Sequence, residues 1–163
     1  MSFLTIGYAY GDPYTRPQVQ SIQEFNINPG SIYSMLTDKF SIFRKVVDKS
    51  VLYRDILNNL NLPVTLFLPP DEFLPQLVQK NLLSLDRADA TSLLNYHTSN
   101  GVNILADGNI INTRDYGILL ARQGNMLVLP NRESQQQIAL LNNGSRFHNG
   151  IVYVIDQPII KGA

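Results

Sequence analysis

The chain has 163 residues, 44% of them hydrophobic and 16% charged; that length suits one domain with a real core, and so few charges are typical of a surface partly covered by neighbours. Thirteen basic residues balance thirteen acidic ones, so no net field draws the chain to nucleic acid or to an anionic membrane. With no cysteine, disulfides, thiolate nucleophiles and cysteine-ligated zinc are excluded.

Residues 1–28 carry Tyr8, Tyr10, Tyr14, Pro13 and Pro17 among glycines, and no helix or strand period persists in them. The prolines bias the residues before them to extended geometry, so this stretch reads as an arm and not a domain. Such a segment buries too little of itself to order alone. It is expected to lie in a neighbour's groove or along a sheet edge, with the three tyrosines as anchors, because Tyr buries area while keeping one polar tip. The opening "MSFLTIGYAY" has no basic lead-in and its apolar run breaks at Thr5 and Gly7, so no secretory leader is read. No apolar run approaches the ~18 residues of a membrane span. The expectation is a soluble chain made in the cytosol, without direct membrane insertion.

Over residues 31–47, Ile32, Met35, Leu36, Phe40, Phe43 and Val47 form one helical stripe, with Ser31 as its N-cap. Residues 50–60 predict a second helix carrying Leu52, Ile56 and Leu60. "VTLFL" is a strand, and its β-branched and aromatic content fits burial on both faces. Residues 71–80 predict a helix broken at Pro75. A helix capped by Asp86 follows, with Ala90, Leu93, Leu94 and His97 on one face. Beyond it the chain turns to strands. Asp107-Gly108 and Gln123-Gly124 each predict a hairpin, and Asn143-Gly144 and Asn149-Gly150 predict further turns. Helices segregated from hairpins indicate an α+β fold.

Two acids and two histidines are the candidates for chemistry. Asp71 and Glu72 are adjacent, so on a helix they diverge by about 100° and do not face each other as a catalytic pair. Acids in a first turn favour the helix dipole and cap free N–H groups, and capping is the reading taken here. His97 falls on the apolar face of its helix, where a neutral imidazole bonded to backbone is the structural alternative to a contact role. His97 and His148, far apart and without cysteine, make a poor metal set. No phosphate loop, EF-hand or nucleophile elbow is present, so no cofactor and no enzymatic activity are expected. Asn143-Gly144-Ser145 matches a glycosylation sequon but reads as a turn.

Three segments, in order, resemble the signatures of the fasciclin-like (FAS1) domain family. They are "VTLFLPPDEF" (Val64–Phe73), "LLNYHTSN" (Leu93–Asn100) and "HNGIVYVIDQPII" (His148–Ile160), the last with Asn149 and Gly150 leading into a strand that ends at Asp156. The resemblance covers about residues 28–160. It implies a single compact α+β domain at residues 29–160, a β-sandwich or wedge with helices packed around it, followed by a tail at 161–163. It also implies non-enzymatic adhesion and protein–protein contact, and it links the Tyr-His segment, here Tyr96 and His97, to receptor binding. With the arm and the sparse charge, the expectation is a structural or cement component of an assembly, such as a minor capsid protein of a large DNA virus, whose partners are other proteins or further copies of itself. The alternative is an extracellular adhesion or receptor-binding module exported by a route the sequence does not show.

Overall fold

In the computed structural model, residues 25–114, 119–129 and 136–159 are described. The arm residues Tyr8, Tyr10, Tyr14, Pro13 and Pro17 lie outside them.

"VTLFL" forms β1 (Val64–Leu68), buried along its whole length. Its two-residue period divides it between two cores. Val64, Leu66 and Leu68 face a helical layer, and Phe67 faces a second sheet. The strand β8 (Gly150–Val154) runs parallel to β1, with Val64 opposite Gly150 and Leu68 opposite Val154. It divides in the same way: Val152 joins the helical core, Ile151 and Tyr153 the other. At Gly150, φ is +156° and a Cβ would stand 1.9 Å from the Val64 carbonyl oxygen, so the close approach of these strands requires glycine there. A parallel pair needs a long crossover, and residues 69–149 form it.

The helices are α1 (Ser41–Asp48), α2 (Val51–Asn58), α3 (Gln76–Leu83) and α4 (Arg87–Tyr96). Two strands, β2 (Thr98–Asn100) and β7 (Ser145–Phe147), flank the central pair antiparallel, giving the order β2-β1-β8-β7. The other sheet is an antiparallel meander of β3 (Ile110–Asn112), β4 (Leu119–Gln123), β5 (Met126–Val128) and β6 (Gln137–Ala139). Helices, mixed sheet and meander therefore stack as three layers, the α+β arrangement expected. Among the described residues no helix is long and apolar enough to cross a membrane.

Four local expectations need correction. The stripe over residues 31–47 is not one helix. Tyr33–Met35 and Asp38–Phe40 are 3-10 turns, separated by an extended Thr37 (φ −133°, ψ 171°), and α1 begins only at Ser41. Ile32, Leu36, Phe43 and Val47 are still fully buried. What stops the helix is tertiary: the Asp71 carboxylate takes the N–H groups of Ser41 and Ile42, which a continuous helix would have given to its own carbonyls. In α2 the buried face is Tyr53, Ile56 and Leu57, while Leu52 and Leu60 are 56% and 39% exposed. The Asp107-Gly108 turn forms, but residues 102–106 are not a strand. The Tyr153 hydroxyl accepts from Leu105 N (2.7 Å) and donates to Asn103 O (3.1 Å), occupying backbone groups that a ladder would use. Finally, Gln123 pairs with Met126 and Phe147 with Gly150, so the hairpin tips are Gly124-Asn125 and His148-Asn149, each displaced by one residue from the dipeptide read in sequence. The break before Pro75 and the Asp86 cap, which accepts from Asp89 N at 2.8 Å, occur as expected.

Candidate interaction surface

Asp71 follows β1 and Pro69-Pro70, which aim it back at the helical layer. Its Oδ2 accepts from Ser41 N (3.2 Å) and Ser41 Oγ (2.5 Å), and its Oδ1 accepts from Ile42 N (3.0 Å). The carboxylate thus caps α1, thirty residues upstream, while its own 3-10 turn has no side-chain cap. Glu72 points to solvent. The two acids share neither a target nor a cavity.

His97 caps the C-terminal end of α4 and is fully buried. Its Nε2 accepts from Ile159 N at 2.9 Å, so the proton sits on Nδ1, which donates to Leu93 O at 2.8 Å. The ring tilts against Phe43 at 5.2 Å. Burial lowers its pKa from 6.5 to about 4, against a smaller opposing effect of the Leu93 hydrogen bond. With no exposed surface, His97 does not meet a receptor in this structure; it fastens the segment after β8 to the end of α4.

Tyr96, its neighbour, is half-buried and lines an apolar groove of about 400 Å³ between α3 and α4. Leu82, Leu85, Leu93 and Ile159 complete its walls, and Asp89 and Ser92 stand at its rim. The same His97 hydrogen bond that fixes Ile159 therefore fixes one wall of this groove. Elsewhere on α3, Leu77 is 70% exposed. The sequence names Tyr96 but not Leu82, Leu85 or Ile159 beside it, because a groove wall has the same apolar pattern as a core face.

Asn149, Gly150 and Asp156 are tie points between layers. The Asn149 amide accepts from Ile32 N (2.9 Å) and donates to Leu57 O (2.8 Å) while almost wholly buried. Asp156 accepts from Ala139 N at 2.9 Å and returns its own N–H to Ala139 O at 3.2 Å, joining the end of β8 to β6. Among the described residues no three His, Asp or Glu side chains converge as metal ligands would.

Residues 38–161 match the family model described as the Fasciclin domain. A solved structure, the FAS1 domain pair from the insect cell adhesion molecule Fasciclin I, superposes with a TM-score of 0.60 at 19% identity, over 82% of this chain and 51% of that one. The chain thus spans about half the length of that pair, and at this identity the likeness establishes fold alone. No curated protein matches.

Proposed function

The chain belongs to the fasciclin family, and from that membership we propose that it works by holding another protein, as an adhesion or assembly module, and not by catalysis. The groove between α3 and α4 carries this reading. It is apolar, open at the surface and walled by Tyr96, the aromatic type that gives most at protein interfaces. The groups that invite a catalytic reading are already engaged: Asp71 and His97 each hold two backbone groups in place. The Tyr-rich arm is proposed as a second, independent tether. Neither the fold nor the relatives support the minor-capsid placement, and it is not carried forward.

The test uses the full chain in its native source, with a photo-crosslinking residue at Ser92, on the groove rim, and separately at Arg146, on exposed β7. The expected result is capture of one defined protein from Ser92 and none from Arg146. Capture from Arg146 alone would move the contact face to the first sheet's edge. No capture from either would remove the groove from the account.

A further inference from the structure

A second cleft, of about 690 Å³, opens on a different face of α4, where α2, α4, β2 and the end of β3 meet. Its chemistry is opposite to that of the groove. Asn95, Ser99, Asn100, Asn112 and Arg114 line it, with Leu52 as an apolar wall. Among the described residues no carboxylate lines it and none pairs with Arg114. The Arg114 guanidinium lies over the ring of buried Tyr53 at 5.4 Å, which orders the side chain without using its N–H fork.

The amides around it are also arranged for use. The Asn95 Oδ1 accepts from the Tyr53 hydroxyl, which orients the amide and leaves its NH2 group for the cleft. The amides of Asn100 and Asn112 stand at an exposed rim. Ser99 is occupied by the Asn112 carbonyl at 2.8 Å and braces that rim. Each free amide offers donors and an acceptor within one planar group, which suits vicinal hydroxyls. Leu52, 56% exposed, offers a flat apolar contact for the C–H face of a ring. The Arg114 guanidinium, which pairs with no carboxylate among the described residues, adds a fork for a carboxylate. A phosphate would instead want a helix N-terminus or a backbone nest, and among the described residues neither lines this cleft.

We infer that this cleft binds an acidic saccharide, a polyhydroxylated ring bearing a carboxylate, at Asn95, Asn100, Asn112 and Arg114. The site is separate from the protein-binding groove and stands whether or not that reading holds.

The experiment is an NMR titration of the full chain with trigalacturonate, with its uncharged methyl ester, and with glutarate as a carboxylate lacking the sugar. Trigalacturonate is expected to shift the side-chain signals of Asn95, Asn100, Asn112 and Arg114, and the ester to bind about tenfold or more weakly, the loss of one charged hydrogen bond. Arg114→Gln should reproduce that loss. Asn112→Asp, at an exposed position, should weaken binding by removing the amide donors and adding a like charge. No shift by about 10 mM trigalacturonate, well above a millimolar Kd, overturns the proposal. Equal binding of acid and ester overturns the role of Arg114, and equal shifts by glutarate overturn the saccharide.

Discussion

At His97 a single ring holds two backbone groups only while it is neutral. The unfolded chain titrates near the ordinary 6.5, the folded one near 4. Between those values the unfolded state binds more protons, so stability is fully present above pH 6.5 and is lost as pH falls toward 4. At ~1.4 kcal/mol per unit the loss is on the order of 3 kcal/mol. Urea unfolding at pH 7.5 and pH 4.5 should show it, and His97→Gln should be less stable at neutral pH but lose less between the two. An equal loss in both proteins would place the acid sensitivity elsewhere. Asp71 and Glu72 make the contrasting case, because adjacent carboxylates have unequal duties. Asp71→Ala removes the cap of α1 and should cost about 1–2 kcal/mol. Glu72→Ala, at an exposed position, should stay within about 0.5 kcal/mol. Equal effects in thermal unfolding would refute the assignment of the cap to Asp71.

The elements show where sequence is legible and where it is not. β1 was readable because four apolar residues and one β-branched Thr65, bounded by prolines, allow little else, and α4 because Asp86 and Ala90, Leu94 and His97 agree on one start and one face. The break at Leu36–Asp38 was not readable, since its cause, the carboxylate of Asp71, arrives thirty residues later. The missing strand at residues 102–106 was hidden for the same reason: its backbone is claimed by Tyr153. The groove and the cleft were illegible as sites, because walls from separate elements share no local period. Non-local causes also set the sensitivity of single glycines. Gly150→Ala puts a methyl group into the Val64 carbonyl, so it should prevent β1 and β8 from pairing and leave the protein insoluble. Gly108→Ala meets nothing within 4 Å and pays only for φ +86°, about 1 kcal/mol. A soluble, folded Gly150→Ala protein would show that the strands can separate and still support the fold.

Across the whole molecule the two sheets are unequal partners. The β1–β8 pair is buried on both faces and belongs to both cores, so it cannot open without breaking each. The meander of β3 to β6 is held from one side, and three of its four strands are three residues long. Its stability rests on the cluster of Leu120, Leu127, Ile138 and Tyr153. Cooperative units open in order of the contacts they lose, so the meander should open first, while the helices and first sheet stay folded. Hydrogen exchange should then give the amides of β4 and β5 a lower opening free energy than those of β1 and β8. Leu127→Ala removes a fully buried side chain from that cluster, and should lower protection in the meander by about 2–5 kcal/mol. Amides in β1 should fall by less. If protection falls equally everywhere, the three layers are one cooperative unit, and the saccharide cleft, which spans both sheets, is as rigid as the groove.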